Sequence, residues 1–211
     1  MVWQNFSSTQ NLRYIETMLL PYEFYARDTR IVARELLGQR LVYQMPDGAR
    51  LAGRIIETEA YCPNDAASHA YRGKTQRNSA MFMAAGHAYV YFIYGMHFCF
   101  NVVTEAENIG AAVLIRALHP LEGIDIMQRR HPKLNISMLC NGPGRLCKAF
   151  GIDRAFNSCN LLDQSCGLWI EQDHAVSDAQ VLSTPRIGIS GDQAAKTAAW
   201  RWLIYPNMSV K

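Results

Sequence analysis

The stretch that decides the fold reads Ala88-Tyr-Val-Tyr-Phe-Ile-Tyr-Gly-Met-His-Phe-Cys-Phe-Asn101. Aromatic and β-branched residues are frequent in both halves, which meet at Gly95-Met96. This composition favours β-structure, and the central glycine is typical of a tight turn. We therefore expect two strands, residues 87–94 and 97–104, joined as a hairpin.

A transmembrane helix is the alternative for this region, because residues 80–103 contain no Asp, Glu, Lys or Arg and are long enough to cross a bilayer. Two glycines interrupt the stretch, however, and polar side chains within it would be costly in lipid: His87, His97 and Asn101. The first residues also lack the pattern of a signal peptide. We expect a cytoplasmic protein without a membrane segment.

The flanking sequence contains further periodic segments. A helix capped by Asp28 or Thr29 is expected over residues 28–38. Other expected helices are 121–130 and 145–150, and other expected strands are 39–44, 49–61, 111–118, 167–171, 186–190 and 199–205. The pattern predicts an α+β fold: a single compact domain, residues 23–211, with a curved, mostly antiparallel β-sheet surrounded by helices. Residues 1–22 are expected to be an N-terminal extension.

Composition excludes several classes of protein. The 211 residues are 49% hydrophobic and 18% charged, which argues against a disordered or fibrous chain. The net charge of +3 is compatible with nucleic-acid binding but not diagnostic of it. The six cysteines form no C-x-x-C pair, and no Cys/His cluster has the spacing of zinc ligands. We expect free thiols and no metal.

The stretch Gly53-Arg-Ile-Ile-Glu-Thr-Glu-Ala-Tyr61 is the first candidate for chemistry. Alternate residues of a strand share a face, so Glu57, Glu59 and Tyr61 would point the same way. Two carboxylates beside an aromatic ring suit a general base next to a stacking surface. A solvated strand face is the other interpretation.

Two more positions allow a functional and a structural interpretation. Tyr94 precedes the turn glycine, where its side chain could project as a wedge between DNA bases or belong to an ordinary aromatic hairpin. Arg116 lies within the apolar stretch Ala111-Ala-Val-Leu-Ile-Arg-Ala-Leu118. It could form a structural ion pair, orient a water molecule or bind a phosphate. Phosphate-loop and zinc-deaminase motifs are absent from the sequence, which leaves carboxylate catalysis.

Several segments, in one order along the chain, resemble the alkyladenine (3-methyladenine or methylpurine) DNA glycosylase family. They are Gly53–Tyr61, Ser68-His69, Arg77–Met83, Tyr89–Met96, Phe98–Asn101, Leu114–Leu118, Pro120–Gly123 and Gly142–Cys147. The resemblance implies a monofunctional base-excision-repair enzyme without metal or cofactor. Its expected partner is double-stranded DNA containing a damaged purine, and we expect a monomer.

The resemblance also implies roles for individual residues. Glu59 matches the general base of the family, and Arg116 matches the arginine that helps hold the attacking water. Tyr94 matches the residue that intercalates in the minor groove. The other matched positions contact the flipped base: Tyr61, His69, Tyr91 and Asn101, the last of which clashes with the amino group of normal guanine.

Two other functions remain open from the residues alone. A sugar glycosidase could use Glu57 and Glu59 as its carboxylate pair, which such a mechanism needs ~5–9.5 Å apart. The four tryptophans, however, lie far along the chain from both glutamates. A non-catalytic module that senses lesions in duplex DNA is the second alternative.

Overall fold

Eight strands form one sheet in the computed structural model, which describes residues 18–205. All strand pairs within these residues are antiparallel. The strands are β1 (Arg40–Gln44), β2 (Arg50–Tyr61), β3 (Ala88–Ile93), β4 (His97–Val103), β5 (Ala112–Glu122), β6 (Leu168–Glu171), β7 (Val181–Thr184) and β8 (Arg201–Ile204). The helices are α1 (Tyr22–Tyr25), α2 (Thr29–Glu35), α3 (Ile124–Arg130), α4 (Pro143–Phe150) and α5 (Gln193–Thr197). The expected α+β fold with a mostly antiparallel sheet is confirmed.

Strand β2 lies at the centre of the sheet, whose order is β3-β4-β5-β2-β1-β6. One edge of β2 pairs with β5 along most of its length. On its other edge, residues 50–54 pair with β1 and residues 57–59 pair with β8, which in turn pairs with β7. The end of β2 that carries both glutamates is therefore enclosed between two strands.

The core lies between the sheet and the helices α2 and α4. Thr58 is buried in it and donates its hydroxyl hydrogen to the Ala33 carbonyl of α2 at 2.7 Å. Because side chains alternate along a strand, Glu57 and Glu59 point to the other face of β2. Large core side chains include Leu36, Ile55, Phe100, Ile115 and Phe150. Burying each of them contributes ~1.5–3 kcal/mol of hydrophobic free energy.

The uncharged stretch 80–103 forms a short 3₁₀ turn and the hairpin of β3 and β4. The expected hairpin is confirmed, with Ala88 paired with Val102 and Ile93 with His97. Within residues 18–205, none of the helices has the length and apolar composition of a membrane-spanning segment.

Two expected elements differ from the structure. The strand predicted at residues 186–190 is wrong: β7 ends at Thr184, and an irregular loop follows. Pro185 cannot donate to a ladder, and Gly188 adopts a φ of +69°, so this loop cannot continue the strand. The helix predicted from residue 121 begins at Ile124, because β5 continues to Glu122.

The expectation that all six cysteines are free is also wrong. Cys159 and Cys166 form a disulfide with their Cα atoms 6.2 Å apart, a separation normal for such a bond. The loop between them brings the two sulfurs together, which the spacing in the sequence did not reveal. The other four cysteines are buried free thiols: Cys62, Cys99, Cys140 and Cys147.

Asp28 caps α2 by accepting a hydrogen bond from the Arg30 amide at 2.8 Å. The Arg30 side chain, hydrogen-bonded to the same carboxylate, lowers the pKa of Asp28 to about 2. We expect Asp28→Ala to lower the free energy of unfolding by ~1 kcal/mol at pH 7. The folded pKa lies below the ordinary value of 3.8, so the charge contribution is complete above pH 4 and lost as the pH falls towards 2.

Urea unfolding of Asp28→Ala and Asp28→Asn at pH 7 and pH 3 measures both parts of this contribution. Asparagine also caps helices, so Asp28→Asn is expected to lose less stability than Asp28→Ala at pH 7. Equal stability of the wild type and Asp28→Ala at pH 7 would contradict the role of the cap.

Candidate active site

Glu59, near the end of β2, is fully buried. The Tyr61 hydroxyl donates to its Oε2 at 2.9 Å, and the Ile187 amide donates to its Oε1 at 2.8 Å. Nη1 of Arg116 lies 3.2 Å from the same Oε1. A buried carboxylate needs such partners because it has lost the hydration of water. The residues around Glu59 thus hold its two oxygens in fixed positions.

Arg116 bridges the two glutamates of β2. In addition to its contact with Glu59, its Nε donates to Oε1 of Glu57 at 3.0 Å. Two offset bulges produce this arrangement, since Ile56 in β2 and Arg116 in β5 have no partner across the ladder. Bulges re-aim side chains and are frequent beside active sites. Burial opposes the charge of Arg116, but Glu59 and Glu57 outweigh this effect and raise its pKa.

The same Oε1 of Glu57 also accepts from Arg201 of β8, whose Nη1 lies 2.7 Å away. These two residues and Arg116 line a surface depression of about 770 Å³. The ion-pair interpretation of Arg116 is therefore correct, and its pairing with two carboxylates is compatible with a role at a reaction centre.

A separate cavity of about 240 Å³ lies beside Tyr61. The structure brings the expected base-contacting and intercalating residues together in its wall: Tyr61, His69, Tyr91, Tyr94 and Asn101. Glu59 and Arg116 do not line this cavity. The hydroxyl of Tyr61 connects it to Glu59, so the aromatic wall and the buried carboxylate share one side chain.

The aromatic wall is neutral at physiological pH. The His69 ring lies 4.5 Å from that of Tyr91, and its Nδ1 is 2.9 Å from the Tyr89 hydroxyl. Removal of His69 from water lowers its pKa, and the charge of Arg77 lowers it further. Burial raises the pKa of Tyr89 to about 12 and also raises those of Tyr61 and Tyr91. The Tyr61 hydroxyl therefore keeps the proton that it donates to Glu59.

Asn101 forms the part of the wall that belongs to β4. It pairs with Tyr89 in the ladder, and its Nδ2 donates to the Tyr89 carbonyl at 2.9 Å. Only 3% of its surface is exposed. The carboxamide is thus fixed rather than free to turn with each occupant of the cavity.

Tyr94 occupies the tip of the hairpin at the rim of the cavity. Its surface is 76% exposed, so it is not a core tyrosine. Tyr94 and Gly95 have φ values of +53° and +67°, and the Met96 amide donates to the Ile93 carbonyl, which makes a type I′ turn. An aromatic residue in this left-handed region costs ~1 kcal/mol or more and is often associated with function.

Sequence reasoning missed the segment that closes the site, residues 185–190. Ile187 donates to Glu59, Gly188 and Ile189 line the cavity, and Arg186 forms a buried ion pair with Asp65. The sequence predicts a strand at residues 186–190 instead. Pro185 and Gly188, three positions apart, were the signal for a loop.

Comparison with known proteins identifies the family of this chain. The model of the family described as Methylpurine-DNA glycosylase (MPG) matches residues 23–208. A protein of Carboxydothermus hydrogenoformans is 47% identical over 193 residues, covering 92% of this chain and 98% of the relative. A protein of Herpetosiphon aurantiacus is 44% identical over 188 residues, covering 88% and 85%. Both relatives carry the name "Putative 3-methyladenine DNA glycosylase". The chain belongs to the methylpurine-DNA glycosylase family.

Proposed function

We propose that this protein turns damaged purines out of double-stranded DNA and hydrolyses their N-glycosidic bonds, leaving an abasic site. As a member of its family it is a DNA-repair glycosylase, a hydrolase that acts on N-glycosyl bonds. The proposed lesions are 3-methyladenine, 7-methylguanine, hypoxanthine and ethenoadenine. The observation that carries the proposal is an aromatic cavity that shares Tyr61 with a buried, arginine-bound glutamate.

The cavity supports selection of the base by stacking. Flipping a nucleotide out of the helix costs a few kcal/mol, and less for a damaged pair. Stacking on an aromatic side chain returns ~1–3 kcal/mol per base. Tyr61, His69 and Tyr91 supply the rings, and an alkylated purine with positive charge gains further from their electron-rich faces. Asn101, fixed by its hydrogen bond, is the proposed barrier to the amino group of normal guanine.

Glu59 is the proposed general base. It removes a proton from water as the water oxygen bonds to C1′ of the sugar, and the electron pair of the breaking C1′–N bond moves to the purine. Arg116 would orient the water and stabilise the charge that develops around it. Alkylation makes the purine a good leaving group, so a strong general acid is unnecessary. The Tyr61 hydroxyl and the Ile187 amide, which donate to Oε2 and Oε1, hold the Glu59 carboxylate in a fixed orientation for this step.

The arrangement of the glutamates argues against a sugar glycosidase. In that mechanism the two carboxyl groups flank the scissile bond and contact the substrate from separate positions. Here one guanidinium, that of Arg116, contacts both Glu57 and Glu59. Glu57 is further occupied by Arg201. The two glutamates are therefore better suited to a mechanism with one catalytic carboxylate, Glu59, than to one in which they act as an acid and a base.

Incubation with a duplex oligonucleotide containing one hypoxanthine, followed by alkaline cleavage of abasic sites, tests the proposed reaction. Strand scission at the lesion alone is the expected result. Binding of the duplex without base release would indicate a lesion-sensing module instead. Release of sugars from glycosides, without scission of DNA, would support the glycosidase.

Tyr94 is the proposed wedge that fills the gap left by the flipped nucleotide. We expect Tyr94→Ala to weaken the flipping equilibrium by ~1–3 kcal/mol, the scale of one stacking contact. Fluorescence of ethenoadenine in duplex DNA measures the flipped population. Affinity for undamaged duplex should change much less, because phosphate contacts dominate it.

Tyr94→Phe is the matched control for this prediction, since it keeps the ring and removes only the hydroxyl. It should retain the flipped population of the wild type. If Tyr94→Ala also retains it, Tyr94 does not act as a wedge.

A further inference from the structure

Arg186 and Asp65 form an ion pair that is removed from solvent, with 0% and 1% of their side chains exposed. Both terminal nitrogens of Arg186 contact the carboxylate, one of them at 2.9 Å. The same nitrogens donate to the carbonyls of Ala60 at 2.9 Å and Ala195 at 3.2 Å. One guanidinium thus joins β2, the loop that follows it and helix α5.

The ion pair of Arg186 and Asp65 is linked to Glu59 through two neighbouring residues, Tyr61 and Ile187. The guanidinium lies 4.8 Å from the ring centroid of Tyr61, whose hydroxyl donates to Oε2 of Glu59. Arg186 also precedes Ile187 in the chain, and the Ile187 amide donates to Oε1. The positions of the Tyr61 hydroxyl and the Ile187 amide, which both donate to Glu59, therefore depend on the position of Arg186.

Stability alone does not explain the pair. Buried ion pairs are often no more stabilising than apolar residues of the same size, because desolvation offsets their attraction. Nε of Arg186 is, moreover, buried without a hydrogen-bond partner among residues 18–205. The directional hydrogen bonds of the buried Arg186–Asp65 pair fix the positions of neighbouring residues, which apolar packing would not do.

We propose that Arg186, anchored by Asp65, is a positioning residue that holds Tyr61 and the Ile187 amide against Glu59. The inference rests on the proposed role of Glu59 as general base. Arg186 lines neither the aromatic cavity nor the depression beside Glu57, so it acts through its neighbours. A displacement of ~1 Å in a catalytic group can slow a reaction by ~100-fold.

The test compares Arg186→Gln and Arg186→Lys with Arg54→Gln. Arg54 forms a similar ion pair with Asp173, with 11% and 8% of their side chains exposed, and lines neither the aromatic cavity nor the depression beside Glu57. Lysine keeps the charge opposite Asp65 but cannot reproduce the fork of donors that reaches two carbonyls. The readouts are the maximal single-turnover rate of hypoxanthine release, the half-saturating enzyme concentration and the thermal midpoint.

Both Arg186 variants are expected to lower the maximal rate by ~10- to 100-fold, with little change in half-saturation. Arg54→Gln should lower the thermal midpoint but keep the rate. Equal rates for Arg186→Lys and the wild type, or equal losses in Arg186→Lys and Arg54→Gln, would overturn the inference. Glu59→Gln serves as the reference. If Glu59→Gln remains active, the proposed general base is wrong. If Glu59→Gln is inactive while the Arg186 variants are fully active, only the positioning role of Arg186 is rejected.

Discussion

Replacement of Glu59 by glutamine is expected to lower the single-turnover rate of purine release by ~10²- to 10⁴-fold, the usual contribution of a general base. Glutamine keeps the size of the side chain: its carbonyl oxygen can accept from the Ile187 amide, and its NH2 group can donate to the Tyr61 oxygen. It cannot take a proton from water. The variant should therefore still bind lesion-containing duplex. Rates at saturating enzyme and affinities from fluorescence anisotropy separate these two effects.

Glu57→Gln is the matched control, two residues earlier on the same face of β2. Glu57 accepts from Arg116 and Arg201 and contacts neither Tyr61 nor the aromatic cavity. Its loss should loosen Arg116 and reduce the rate by far less than the loss of Glu59. The reverse ranking of the two variants would show that the general base has been assigned to the wrong carboxylate.

Local patterns were sufficient to predict the strand that carries the site. Alternation along β2 places Glu57 and Glu59 opposite Thr58, and Thr58 indeed bonds to α2 in the core. The hairpin of β3 and β4 followed from its aromatic residues and its central glycine. These features depend on neighbours a few residues apart, so the sequence is informative about them.

Local sequence patterns do not predict contacts between segments that are far apart in the chain. The Ile187 amide reaches Glu59 across 128 positions of the chain, and Arg186 reaches Asp65 across 121. The bulge at Arg116 depends on the register between β2 and β5, which no single strand encodes. Alternating apolar residues also made the loop at residues 185–190 resemble a strand. Tertiary packing, rather than local preference, decides each of these features.

Arg116→Gln is expected to be the most destabilising single change in the site. Arg116 compensates two carboxylates, of which Glu59 has no exposed surface and Glu57 has 15% of its side chain exposed. Removing one partner of a buried ion pair costs ~3–5 kcal/mol, because the remaining charge is left without hydration. Urea unfolding measures the loss. The exposed pair Arg129–Asp125 provides the control, since solvent screens it and Arg129→Gln should leave the stability nearly unchanged.

A double substitution identifies the origin of that loss. If the unpaired carboxylate is responsible, adding Glu59→Gln to Arg116→Gln should recover part of the stability, because the buried charge is then gone. If lost packing is responsible, the two losses should simply add. The single variant is also expected to release purines more slowly than the wild type at a temperature where both are folded, since Arg116 no longer orients the attacking water. Unchanged stability and rate in Arg116→Gln would contradict both proposed roles of this arginine.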